Sequence, residues 1–164
     1  NKVQEAIEKW TKIKNSSKNI KLHMIGKLQT NKVKNVIPLF DYIHSLDNLK
    51  LAKKISTEQI KLNKFLQIFI QVNIGNEVQK GGIDIINLKE FYNICVKELR
   101  LNIIGLMCIP PQSNVETYFS KMQKLTKSLD LKKLSMGMSA DYLQAVKYDS
   151  TFVRIGSKIF GERN

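Results

Sequence analysis

Apolar residues recur along this chain with two alternating periods, one helical and one extended. Val3, Ala6, Ile7, Trp10 and Ile13 form a helical stripe over residues 2–14. Residues 20–25 then read as a short strand ending at Gly26, and residues 42–45 as a second. Asp47 stands where a helix N-cap is expected, before Leu49, Ala52 and Ile55 on an inward face. Residues 66–74 alternate and are rich in Ile, Phe and Val, which predicts a strand closed by Gly75.

The second half repeats the scheme. Leu88, Phe91, Tyr92, Cys95 and Leu99 share a helix face, and residues 102–109 form a strand stopped by Pro110 and Pro111. Val115, Tyr118, Phe119, Met122, Leu125 and Leu129 mark the next helix, followed by a strand over 134–138. Ser139 is then expected to cap a helix bearing Leu143 and Val146, and residues 151–155 make a last strand running into Gly156. Strands at such spacing, separated by helices, are the mark of βα units in a parallel sheet.

An α/β fold with six strands fits an open doubly wound sheet or an incomplete (β/α)8 TIM barrel. The chain opens at Asn1 almost directly into a helix, which favours a barrel with strands lacking upstream. The expected arrangement is one domain over residues 1–164, N-terminally incomplete.

Composition narrows the function classes. The chain has 164 residues, a size that buries a sizeable core. Its 27 basic residues against 14 acidic give a formal net charge of +13, which invites a nucleic-acid reading. All but Arg100, Arg154 and Arg163 of these cations are lysines spread over nearly every polar face, so a solvated cationic coat is the preferred account. No apolar run approaches the roughly 18 residues of a membrane span, and no signal-peptide core is present. Cys95 and Cys108 lack CxxC spacing and the two histidines lack ligand spacing, which argues against disulfide scaffolding and metal. Dinucleotide, Walker, zincin and hydrolase-elbow motifs are absent. A cytoplasmic setting follows.

Four segments depart from plain packing. Residues 134–141 end a strand in a Gly-containing turn before Ser139, where backbone N–H groups and a hydroxyl make an anion site or a simple helix cap. In residues 152–161, Arg154 alternates with Val153 and Ile155. If those two pack under the helices, Arg154 faces the barrel interior and needs a ligand or carboxylate partner. Gly156 and Ser157 offer further donors just past it. These are the last two strands, and the loops after strands seven and eight are the usual phosphate site of a barrel. A phosphorylated ligand is therefore expected. His23, on a short strand before Gly26, could line the pocket mouth or be a hydrogen-bonded rim residue. Gly105, in Ile104-Gly105-Leu106-Met107, reads as a place where a helix or ligand approaches closely.

These segments together resemble the pyridoxal phosphate homeostasis protein family, relatives of the alanine racemase N-terminal barrel. The matching stretches run in order over essentially the whole chain. They are residues 1–6, His23-Met24-Ile25-Gly26-Lys27-Leu28-Gln29-Thr30-Asn31-Lys32, Ser45-Leu46-Asp47, Gln71-Val72-Asn73-Ile74, Gly105-Leu106-Met107 and residues 134–139, and lastly Val153-Arg154-Ile155-Gly156 with Ile159-Phe160-Gly161.

The resemblance implies a (β/α)8 barrel that binds pyridoxal 5′-phosphate at its C-terminal mouth. It places Ser139, Gly156 and Ser157 at the phosphate with the backbone of Met136 and Met138 beside them, Arg154 near the pyridine nitrogen, and Asn1 also near the cofactor, with His23 at the pocket. The family's Schiff-base lysine lies on the first barrel strand, upstream of Asn1, and no lysine here matches it. The first strand with its helix and most of the second strand are likewise expected to be absent. The implied role is cytoplasmic buffering and delivery of pyridoxal 5′-phosphate by a monomer, with dependent apo-enzymes as recipients and no established turnover. An amino-acid racemase of the same cofactor class is the alternative. A basic nucleic-acid module ranks below both, for want of any binding motif or aromatic platform.

Overall fold

The computed structural model describes residues 3–17, 19–77 and 79–161. Its elements alternate throughout: α1 (Val3–Ser16), β1 (His23–Met24), α2 (Val33–Leu39), β2 (Tyr42–Leu46), α3 (Leu49–Leu62), β3 (Gln67–Gln71), α4 (Ile85–Asn93), β4 (Ile103–Met107), α5 (Val115–Ser128), β5 (Lys133–Met138), α6 (Tyr142–Lys147), β6 (Phe152–Arg154) and α7 (Ser157–Phe160). The six strands pair in sequence order and every pairing is parallel. This is the order of consecutive staves in a TIM barrel, where each strand lies beside the one before it. An open doubly wound sheet would reverse strand order at a switch point, and this sheet does not.

The sheet curls. Phe152 on β6 brings its ring within 5.6 Å of His23 on β1 and 5.7 Å of Tyr42 on β2, across the concave side. Phe69 completes this inner layer, fully buried and 5.4 Å from Phe152. On the convex side Ile43, Ile68, Ile70, Leu106 and Met136 are buried against helix residues such as Val36, Ile55 and Phe119. Each such side chain contributes about 1.5–3 kcal/mol relative to exposure.

Several local expectations change. The N-cap of α3 is Asn48, not Asp47: the Asn48 side chain accepts from the Leu51 N–H at 2.8 Å. Ser139 does not cap α6, which starts three residues later. Asp141 holds that turn instead, its Oδ1 accepting from the Met138 N–H at 2.6 Å. Leu143 and Val146 point outward, and Ala145 is the residue of α6 that packs inward. Gly137 makes this packing feasible: its φ of +94° suits glycine, and a Cβ there would lie 2.7 Å from that of Ala145. The residue pattern does not predict helix α2, because Pro38 inside it and its seven residues hide the stripe of Val33, Val36 and Ile37. The helical face at Leu88 continues through Cys95 only by way of a π-turn over Ile94–Glu98.

Candidate functional site

Parallel strands deliver their C-terminal ends to one face of the sheet, and the chemistry gathers there. A cavity of about 1290 Å³ opens between the loops after β1, β5 and β6, lined by His23, Lys27, His44, Ser139, Arg154 and Gly156 among others. Asn1 lies outside the described residues. Ser157 borders the cavity at the head of α7.

The outer end of this cavity is lined by Ser139, Gly156 and Ser157. Ser139 Oγ accepts from the Gly156 N–H at 3.1 Å, tying the turn after β5 to the turn after β6. A Cβ built on Gly156 would meet nothing within 4 Å, so the space over it is open to a ligand. Met136 is not part of this surface. It is fully buried on the convex side and its carbonyl accepts from Ser150 Oγ at 2.7 Å. Met138, one pleat further on and 46% exposed, is the methionine at the mouth.

The inner end is built on Arg154. Its guanidinium does face the barrel interior, although Val153, expected to pack under a helix, is 37% exposed. Among the described residues its hydrogen-bond partners are neutral acceptors, not a carboxylate. Arg154 Nη1 donates to Ser135 Oγ and Nη2 to the Cys108 carbonyl, both at 2.9 Å. Those two contacts leave the guanidinium with further N–H donors and no means of accepting.

Two residues that pattern reading passed over complete this end. Ser135 Oγ lies 2.8 Å from His44 Nδ1, and His44 Nε2 lies 2.9 Å from His23 Nδ1. A continuous hydrogen-bonded chain therefore runs from β6 through β5 and β2 to β1. His44 is 2% exposed and stacks on Phe69 at 4.3 Å. Burial, then the neighbouring His23 and Arg154 charges, push its pKa down to about 3, so the ring is neutral. Burial also lowers the pKa of His23, against a smaller opposing pull from Asp41. The signal available in the sequence was period two: Tyr42 and His44 share a face of β2, as Ser135 shares the inner face of β5. Gly105, expected to admit a helix or a ligand, instead admits the Lys133 backbone of the neighbouring strand and the Phe69 ring.

Both thiols are buried, and burial pushes Cys95 and Cys108 up to about 12, so neither is a nucleophile at neutral pH. Among the described residues no group of three or more His, Cys, Asp or Glu could hold a metal ion. No helix among them is long and apolar enough to cross a membrane.

A curled run of parallel staves with a cavity at the strand C-termini and an inward arginine is the architecture of the alanine racemase N-terminal class. The chain belongs to that family: residues 1–164 match the alanine racemase N-terminal domain. It is 39% identical to the pyridoxal phosphate homeostasis protein of Aquifex aeolicus, over 99% of this chain and 75% of that one. Against the protein of the same name in Escherichia coli it is 33% identical, over 100% of this chain and 74% of the relative. Among solved structures, PipY of Synechococcus elongatus without pyridoxal phosphate superposes with a TM-score of 0.91 at 30% identity, covering 98% of this chain and 80% of PipY. PipY with pyridoxal phosphate bound superposes at 0.87, covering 98% and 79%. Alanine racemase of Corynebacterium glutamicum shares the fold, with a TM-score of 0.70 at 11% identity over 99% of this chain and 46% of the racemase.

Proposed function

We propose that this chain, read as one barrel unit over residues 1–164, binds pyridoxal 5′-phosphate at the strand C-termini and serves its storage and delivery. The observation that carries the proposal is the placement of the Ser139 hydroxyl, the open space over Gly156, Ser157 and an inward guanidinium (Arg154) in a single cavity. A phosphate dianion asks for N–H and O–H donors, and the open space over Gly156 supplies room for it. The pyridine end suits Arg154, which can only donate and would keep a ring nitrogen unprotonated. When bound, the group supplies an aldehyde and an electron-withdrawing ring. An arginine at the ring nitrogen weakens that withdrawal and so favours carriage over turnover. The residues of this chain then bind and orient: Ser139 and Ser157 fix the phosphate, Arg154 fixes the ring, and Phe152, with Phe69 packed behind it, gives the cavity an apolar wall.

Relatives named for pyridoxal phosphate homeostasis and a PipY structure with the cofactor bound support this reading. The same proposal extends to a monomer that passes the cofactor to dependent apo-enzymes in the cytoplasm. Equilibrium titration with pyridoxine 5′-phosphate, which lacks the aldehyde and so needs no amine, is the test. Saturable binding that weakens about tenfold in Ser139→Ala and in Arg154→Met is expected, one charge-assisted hydrogen bond in each case. A folded protein that does not bind the probe would overturn the proposal. Racemisation of amino acids in the presence of pyridoxal 5′-phosphate would replace carriage with catalysis.

A further inference from the structure

The histidines that line the inner cavity do more than fill it. The hydrogen count along the chain from Arg154 to His23 has one solution. The Arg154 guanidinium donates to Ser135 Oγ and cannot accept. Ser135 is fully buried, and its remaining partner is His44 Nδ1. The hydroxyl hydrogen therefore goes to Nδ1, since otherwise a buried donor would be stranded. His44 then carries its hydrogen on Nε2 and donates it to His23 Nδ1. His23 in turn carries its own hydrogen on Nε2. That nitrogen has no hydrogen-bond partner among the described residues, and its ring lines the cavity.

We propose that His44 and His23 are positioning residues for Arg154, a four-residue wire that aims the guanidinium and presents a neutral Nε2–H of His23 to the ligand cavity. The wire crosses from β6 to β1, so it also fixes the distance between the two ends of the curled sheet. Each link is directional: reversing the hydrogen at His23 reverses it at His44 and strands the Ser135 hydroxyl. A change at one end is thus felt at the other.

The ligand part of this inference rests on the function proposed above, but the wire is testable without a ligand. In the free chain at pH 7, long-range 15N correlation spectra of the imidazoles should show both histidines neutral with the hydrogen on Nε2. Either ring found as the Nδ1–H tautomer would overturn the wire. For the positioning role, His44→Phe preserves the aromatic packing and removes both hydrogen bonds. Pyridoxine 5′-phosphate should bind at least fivefold more weakly to it, while inorganic phosphate binds as before. His44→Asn, whose amide reaches Ser135 as Nδ1 does, should recover most of the loss. In an Arg154→Met background, His44→Phe should cost nothing further, because both act on one contact. Additive losses, or equal losses for inorganic phosphate, would reduce His44 to packing and overturn its role. If wild-type protein binds no probe while the spectra show the expected tautomers, the proposed function fails and the wire stands.

Discussion

Ser139 Oγ accepts a hydrogen bond from the Gly156 backbone N–H at 3.1 Å, so the loops after the last two strands are closed on each other. The pair couples two segments 17 residues apart across the β5–β6 ladder. Gly156 has a φ of −121°, outside the left-handed region, and an added Cβ meets nothing within 4 Å. Gly156→Ala should therefore leave the melting temperature within about 2 °C of wild type, a change below about 0.5 kcal/mol. The methyl group would stand in the ligand space, and inorganic phosphate or pyridoxine 5′-phosphate should bind about tenfold more weakly. Thermal melts beside calorimetric titration check both halves.

Gly105 is the contrary case. A Cβ there would fall on the Lys133 carbonyl oxygen of the adjacent strand and lie 2.8 Å from Phe69 Cε1. Backbone cannot yield as a side-chain tip can. Gly105→Ala should cost about 3 kcal/mol or more, the upper range for overpacking. Urea unfolding will show it as a lowered midpoint or a loss of soluble protein.

Acid should weaken the fold through His44. Unfolded, the ring titrates near 6.5; folded, near 3. Between those values the unfolded chain binds the extra proton, so stability falls as pH drops from 6.5, by up to the order of 4 kcal/mol. Above 6.5 this contribution is flat. His23, also lowered, adds in the same direction. Unfolding free energies from urea titrations at pH 7.5 and 4.5 should differ by about 2–3 kcal/mol more in wild type than in His44→Phe.

Asp41 joins three elements. Its Oδ2 accepts from the Leu22 N–H at 2.8 Å and from Lys14 Nζ at 2.7 Å, while Lys14 also donates to the Leu39 carbonyl at 2.6 Å. Burial pushes this carboxyl up, but the Lys14 ammonium, the Leu22 N–H and the Lys21 charge outweigh it and hold the pKa below its ordinary value. Its stabilisation is present above the unfolded pKa and is lost as pH falls through the folded one. Asp41→Asn should lose about 1–2 kcal/mol at pH 7. The gap to wild type should narrow as pH falls below the ordinary carboxylate value of 3.8 and through the lowered folded one, which a pH series of denaturation midpoints will show.

Much of this architecture is legible in the residues. Six strands and their alternation with helices follow from apolar periods, because a period of two or of 3.6 is a local property of a stripe that must be buried. Ser139, Gly156 and Ser157 are legible as polar or glycine positions just past strand ends, and Arg154 as a cation alternating with apolar residues within the last strand. Short elements escaped: α2 carries Pro38, and α7 has four residues, too few to show a period.

What the linear pattern determined by itself is the order of the elements and which strand ends carry donors. What only the tertiary structure decided is who meets whom. Ser135 and His44 are 91 positions apart, and nothing local distinguishes a hydroxyl that receives an arginine from one that faces a helix. The Cys108 carbonyl that holds Arg154 is main chain and carries no sequence signature. Strand pairing and the curl of the sheet bring these groups within 3 Å. The buried interior then selects one hydrogen-bond arrangement, because any other leaves a polar group without a partner.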